Sequence, residues 1–133
     1  MSNFFYYKTP AGNIKVSTNN NAIQEAIFVD EKNVTESSKN INLKNFNLVG
    51  TEFQIKVWQA ALKIPSGKTV TYQDIANQIG HSKAHRAVAN ALAQNKIAYF
   101  VPCHRVIRKD GKLGGYKWGI ERKIKLLDFE KTM

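Results

Sequence analysis

Cysteine is almost absent from this chain: Cys103 is the only one in 133 residues. One thiol forms no intramolecular disulfide and builds no multi-cysteine zinc cluster. Long apolar runs are absent too, and none approaches the roughly 18 residues of a membrane span. The opening MSNFFYYKTP lacks the basic-then-apolar order of a secretion signal. Together these absences predict a reduced, cytoplasmic setting in which a reactive thiol persists. No internal repeat is visible. Acidic residues are scarce, 10 against 20 lysines and arginines, for a net charge of +10. The imbalance is uneven: residues 1–48 sum to +1 and residues 49–133 to +9. A basic C-terminal part points to a polyanion, nucleic acid first; a solubilising surface gives the same charge, and charge alone does not separate them.

What is present fits one soluble, compact chain, with 43% hydrophobic and 23% charged residues. Residues 4–8, 14–17 and 23–29 read as three short strands. Turn signals at Thr9-Pro10-Ala11-Gly12 and Asn19-Asn20-Asn21 separate them. Residues 31–48, rich in Asn, Ser and Lys, read as a polar linker or a poorly packed segment. From Thr51 the period becomes helical. Thr51 and Gln54 are spaced as in a capping box, Phe53, Val57, Ala60, Ala61 and Ile64 mark one face, and Pro65-Ser66-Gly67 stops the helix. A second short helix opens near Thr71, with Tyr72, Ile75, Ala76 and Ile79 on one side, and ends at Gly80. A third covers residues 83–94, with Ala84, Val88, Ala91 and Leu92 inward. The pair fits a helix-turn-helix. A C-terminal helix is expected to be lined by Ile120, Ile124 and Leu127.

The outward face of the third helix is unusual. Arg86, Ala89, Asn90 and Ala93 fall at i, i+3, i+4 and i+7, one long cation on a nearly smooth surface. Readers of the major groove present several long hydrogen-bonding side chains to base edges. A smooth helix suits close approach to a backbone or a shallow groove, or simply coverage by its neighbours. Cys103 lies just beyond, in Pro102-Cys103-His104-Arg105-Val106. A lone cysteine is either a small buried hydrophobe or a nucleophile.

Six ordered blocks settle the choice. Thr51-Glu52-Phe53-Gln54 with Val57-Trp58, Ile64-Pro65-Ser66-Gly67, and Thr71-Tyr72 with Ile75-Ala76 come first. Arg86-Ala87-Val88 with Asn95, the Cys103 motif, and Gly114-Gly115-Tyr116 with Leu126-Leu127 and Glu130 follow. From about residue 50 to 130 the chain resembles the O6-alkylguanine-DNA alkyltransferase family, whose members transfer an alkyl group from O6 of guanine, less readily O4 of thymine, to their own cysteine, once per molecule. The resemblance implies an α+β fold: a small N-terminal antiparallel β-sheet, then a helical DNA-binding and active-site domain containing a helix-turn-helix. Residues 1–48 would be a truncated N-terminal β-domain with a polar linker and residues 49–133 the alkyltransferase domain.

By the same resemblance Cys103 is the nucleophile and His104 the base, acting through a bridging water. Glu130 orients that histidine, and Tyr72 donates to N3 of the guanine. Arg86 fills the gap left by a flipped nucleotide, and Asn95 is the hinge before the cysteine segment. Tyr116 and Lys117 belong to the loop over the pocket, and the carbonyls of Cys103 and Val106 receive the exocyclic amine. Arg105 is assigned to structure. The implied partner is double-stranded DNA carrying alkylated bases, met in the minor groove with the nucleotide flipped, by a monomer without cofactor. Binding should be salt-sensitive and little dependent on sequence.

No metal is expected: His81 and His85 have no local carboxylate, and residues 1–48 lack Cys and His altogether. Two departures stand out. Trp118 occupies a position where many members have glycine, which predicts a narrowed pocket favouring methyl over benzyl adducts. Lys96 follows Asn95 where proline is common. Three rivals are weaker. A non-catalytic alkyltransferase-like protein lacks the cysteine, a cysteine hydrolase needs an oxyanion site and turnover, and a transcription factor leaves the cysteine motif unexplained.

Overall fold

A computed structural model describes residues 2–30 and 43–131. The chain opens with an antiparallel meander of β1 (Ser2–Thr9), β2 (Gly12–Asn19) and β3 (Ala22–Val29). Each hairpin loop has two residues. In the second, Asn20 and Asn21 have φ of 52° and 64°, as a turn matched to strand twist requires, and asparagine tolerates that region better than other side chains. Phe5, Ile14, Val16, Ile23 and Ala26 point inward and are buried, the alternation of a sheet covered on one face.

The outer edge of β3 is capped by two later segments. Ile23 bridges Phe46 and Ala26 bridges Ile97, both parallel; Ile23 N donates to Asn45 O and Asn47 N to Ile23 O, each at 2.8 Å. Residues 31–42 of the expected linker lie outside the described residues. The remainder is not loose: Leu43, Phe46 and Leu48 pack on the core, because this short stretch supplies the pairing that the edge of β3 would otherwise lack.

Four helices follow: α1 (Glu52–Leu62), α2 (Tyr72–Gln78), α3 (His85–Ala93) and α4 (Ile120–Lys131). Thr51 and Gln54 form the expected capping box on α1. A second box, Thr71 with Asp74, starts α2. Gly80, at φ +79°, ends α2 with bonds from Gly80 N to Asn77 O and from His81 N to Ala76 O, the paired closure that a left-handed glycine allows. Helix α3 begins two residues later than the sequence suggests, since Ala84 N closes a turn on His81 O at 2.9 Å. Accordingly Val88, Ala91 and Leu92 are buried, whereas Ala84 is half-exposed. Trp58 joins α1 to α3, its Nε1 donating to Ala91 O at 2.9 Å.

Between α3 and α4 run a 3-10 turn (Cys103–Arg105) and a two-residue strand β5 (Val106–Ile107), parallel to β4 (Val70–Thr71). The buried face of α4 departs from expectation. Ile120 and Ile124 are 43% and 40% exposed, while Lys123, Leu126, Leu127 and Glu130 face inward. The two charged ends of this stripe have partners inside the molecule, so burial follows hydrogen bonding as well as hydropathy.

Candidate active site

Three local devices bring Cys103, His104 and Tyr72 together. Pro102, at φ −82° and ψ 62°, sits in an inverse γ-turn closed by Cys103 N on Val101 O at 2.7 Å. The 3-10 turn then places Cys103, His104 and Arg105 in successive directions. Tyr72 is the first residue of α2, held by the capping box: Asp74 N donates to Thr71 Oγ1 at 3.0 Å and Thr71 N to Asp74 Oδ2 at 2.9 Å. Asn95 is buried and ties α3 to the cysteine segment; its Nδ2 donates to Ile97 O at 3.0 Å, and its Oδ1 accepts from Ile97 N at 2.9 Å.

The chemistry centres on His104 and Glu130. His104 is wholly buried, with Nε2 2.9 Å from Glu130 Oε2. Arg105 grips the same carboxylate from Nε at 2.9 Å and Nη2 at 2.8 Å, while its Nη1 donates to Ile64 O at 2.7 Å. Burial alone would raise the Glu130 pKa, but the bonds from His104 and Arg105 outweigh it and hold the carboxyl at about 2. Burial lowers the His104 pKa against the pull of Glu130. The imidazole is therefore neutral at neutral pH. An ionised carboxylate only accepts, so Nε2 carries the hydrogen and Nδ1 carries the lone pair. Nδ1 is buried and has no hydrogen-bond partner among the described residues, the state a general base requires.

Cys103 opens on a cavity of about 270 Å³ lined by Tyr72, Ala89, Asn90, Leu92, Ala93, Gly115, Tyr116 and Lys117. Burial pushes its thiol up to about 12, while the Asn95 side chain, then Lys123 and Lys117, pull it down. Tyr72 is half-buried, its pKa raised by burial and then by Cys103, so its phenol keeps its proton and can donate. Tyr116 is raised for the same two reasons in the same order.

The remaining predicted residues take separate places. Arg86 is exposed on α3 and lines a neighbouring groove with His85, Arg108 and Lys109, which shares Tyr72 and Ala89 with the cavity. Lys117 Nζ donates to Asn95 O at 3.0 Å, linking the loop over the cavity to the end of α3. Trp118 is not on the cavity wall. It stands edge-on to Tyr116 at 5.4 Å and to Phe28 of β3 at 6.1 Å, so any effect on adduct size passes through Tyr116. Val106 is buried, and its carbonyl already accepts from Lys123 Nζ at 2.7 Å.

Lys123 escapes a reading of the sequence. Its ammonium is buried, donating to the carbonyls of Val106, Leu113 and Gly115, and burial brings its pKa down to about 8 against the opposing pull of Cys103. A signal is present, because Lys123 stands seven residues before Glu130 and so shares its helix face. Gly114 escapes as well. At φ +72°, a Cβ there would sit 2.6 Å from Tyr72 Oη.

A family profile described as 6-O-methylguanine DNA methyltransferase, DNA binding domain, matches residues 52–132. The chain belongs to this family. The 6-O-methylguanine DNA methyltransferase relatives include the Escherichia coli bifunctional transcriptional activator/DNA repair enzyme Ada, 60% identical over 78 residues, 59% of this chain and 22% of Ada. The methylated-DNA–protein-cysteine methyltransferase of Mycobacterium leprae is 54% identical over 85 residues, 64% of this chain and 52% of that protein. The chain thus spans only part of the length of the curated methyltransferases it matches. Over nearly its whole length the fold resembles Mycobacterium tuberculosis OGT in complex with DNA: TM-score 0.81 and 33% identity, covering 97% of this chain and 92% of that one.

Proposed function

We propose that the protein repairs DNA by direct, stoichiometric transfer of an alkyl group from O6 of guanine, and less readily O4 of thymine, to Cys103. One observation carries this reading: a buried thiol opens on a small cavity beside a neutral imidazole whose Nδ1 is free to accept. Displacement at an alkyl carbon needs a thiolate-like sulfur. In the proposed step the Sγ–C bond forms as the C–O6 bond breaks. The thiol proton passes through a water to His104 Nδ1, and the new imidazolium is held by Glu130, which Arg105 helps keep ionised. Tyr72 donates to N3, so the departing guanine carries less charge. The product is a thioether, and with a single cysteine in the chain no second thiol of its own attacks it.

The target atom lies inside the duplex stack, so the nucleotide must be turned out. The exposed small face of α3, with Arg86 as its one long cation, suits close approach in the minor groove. Asn95 serves as the hinge, and Tyr116 and Lys117 hold the base. Val106 keeps one carbonyl lone pair for the exocyclic amine. The limited cavity favours methyl over benzyl adducts. The same reading includes a monomer working in the cytoplasm without cofactor, and a division of the chain after residue 48.

Intact and peptide masses after incubation with an O6-methylguanine duplex test it. One methylene gained on the Cys103 peptide, stopping at one equivalent, is the expected result. Tight binding with no mass gain would point to a recognition protein, and continuous product release to a turnover enzyme. Cys103→Ala should abolish transfer and keep duplex binding.

A further inference from the structure

Tyr99 occupies a conformation its side chain does not favour. Its φ is +70°, and Phe100 N donates to Ala98 O at 2.7 Å, closing a three-residue γ-turn on Tyr99. Turns of this hand are rare and strained, and a bulky residue at positive φ is an outlier. The other non-glycine residues of positive φ among those described are Asn20 and Asn21, in a hairpin loop that suits asparagine. Nothing frees Tyr99 to relax. On one side Ala98 N is bonded to Ala26 O of β3 at 2.9 Å; on the other the Pro102 turn fixes Cys103.

The strained turn puts the Tyr99 ring beside the relay. It lies 6.4 Å from the His104 ring with only 7° between their planes. Tyr7 of β1 backs it at 6.1 Å, and Phe100 meets both rings, at 5.4 Å from Tyr99 and 5.2 Å from Tyr7. On the other side of His104, Tyr116 stands edge-on at 6.3 Å. The torsion that turns an imidazole about its own stem is broad and nearly two-fold. The bond from Nε2 to Glu130 pins one atom of the ring but leaves its plane free to rock about that contact.

We propose that Tyr99 is a positioning residue: its ring, anchored to the N-terminal sheet through Tyr7, fixes the plane of His104 and with it the direction of the Nδ1 lone pair. This rests on the reading of His104 as the base. At 6.4 Å the ring lies beyond the roughly 6 Å reach of a strong cation–π contact, so geometry, and not stabilisation of the imidazolium, is its contribution. The ring matters and the hydroxyl does not.

Single-turnover transfer from an O6-methylguanine duplex, followed against pH, tests this in the whole chain with Tyr99→Leu, Tyr99→Phe and His104→Asn. The charged and titratable groups around His104 are Glu130 and Lys123 from α4, Arg105 and Cys103 from the 3-10 turn, and Tyr99 and Tyr116. All but Tyr99 stay in place in the Tyr99 variants. Misplaced catalytic groups cost up to about a hundred-fold, so Tyr99→Leu should slow transfer about ten-fold or more, with duplex affinity unchanged. Its His104 ring-nitrogen NMR signals should move toward a mixture of tautomers. Tyr99→Phe should keep the parent rate and spectrum. Tyr99→Gly, suited to the positive φ, carries the same expectation as Tyr99→Leu if the latter fails to fold. A parental rate and acid limb in Tyr99→Leu or Tyr99→Gly, with His104→Asn slow, would overturn the positioning role alone. A parental rate in His104→Asn would overturn the base and the positioning role together.

Discussion

A buried thiol resists ionisation, and burial takes Cys103 to about 12. At neutral pH the resting sulfur is protonated, so in the proposed transfer the proton would leave during displacement and not before it. That requirement sets what each neighbour does. In the proposed transfer His104 would accept the proton, Lys123 and Lys117 would supply positive field, and Tyr72 would help the other end of the breaking bond. Gly114 makes the last of these possible. An alanine Cβ there would meet Tyr72 Oη at 2.6 Å and Cε2 at 3.2 Å, on a backbone of φ +72°. Gly114→Ala should therefore displace the phenol and cut single-turnover transfer at least ten-fold. Left-handed backbone at a non-glycine residue should also cost about 1–2 kcal/mol in denaturant unfolding. Gly115 has open space around its Cβ direction and no positive φ, so Gly115→Ala should keep the parent's stability in denaturant unfolding. Equal behaviour of the two variants would leave Gly114 with no special part in holding the phenol.

Short elements position long-range chemistry in this molecule, and their end signals are the most legible part of the sequence. The Thr51 box, the Gly80 stop and the asparagine turn all lie where their chemistry places them. Helix α2 shows what such a signal does for function: its capping box fixes Thr71, and Tyr72 is the next residue. Thr71→Ala should lower stability by about 1 kcal/mol and slow alkyl transfer by letting the first turn fray. Thr71→Ser, which keeps the acceptor, should restore both; a normal rate in Thr71→Ala would show that the cap is not needed to hold the phenol. The face of α4 is not legible in the sequence, for a physical reason. Hydropathy alone favours Ile120 and Ile124, yet Lys123 and Glu130 have five hydrogen-bond partners waiting inside, the carbonyls of Val106, Leu113 and Gly115 and the side chains of His104 and Arg105. Periodicity locates a helix face, but which stripe turns inward depends on partners that sequence separation hides. The parallel pairing of residues 46 and 97 with β3 is illegible for the same reason.

At the scale of the whole molecule, one buried polar cluster joins the C-terminal helix to the reactive segment, and it makes stability depend on pH in a definite direction. Glu130 ionises at about 2 in the folded chain against an ordinary value of 4.5. Between those values the unfolded chain binds a proton that the folded chain does not, so stability falls as pH drops through that window. His104 acts in the same sense: its folded pKa lies below 6.5, so the unfolded chain gains a proton first as the solution is acidified. The His104 loss begins below about pH 6.5 and the Glu130 loss below about pH 4.5, and the latter alone should take on the order of 2 kcal/mol from unfolding free energy by pH 3. On the alkaline side the shifted groups oppose one another. Lys123, lowered to about 8, makes the fold gain stability as pH rises toward 10.5, while Cys103, raised to about 12, makes it lose stability above 9, and the raised phenols of Tyr72, Tyr99 and Tyr116 make it lose more above 10. Denaturant titrations across this range should accordingly show a steep acid limb, little change between about pH 9 and 10 where Lys123 and Cys103 oppose each other, and a further fall above 10. Glu130→Gln should start from lower stability at neutral pH and lose the part of the acid limb below pH 4.5. An unchanged limb in that variant would place the acid sensitivity in other carboxylates, leaving the His104–Glu130–Arg105 cluster without its expected share of the fold's stability.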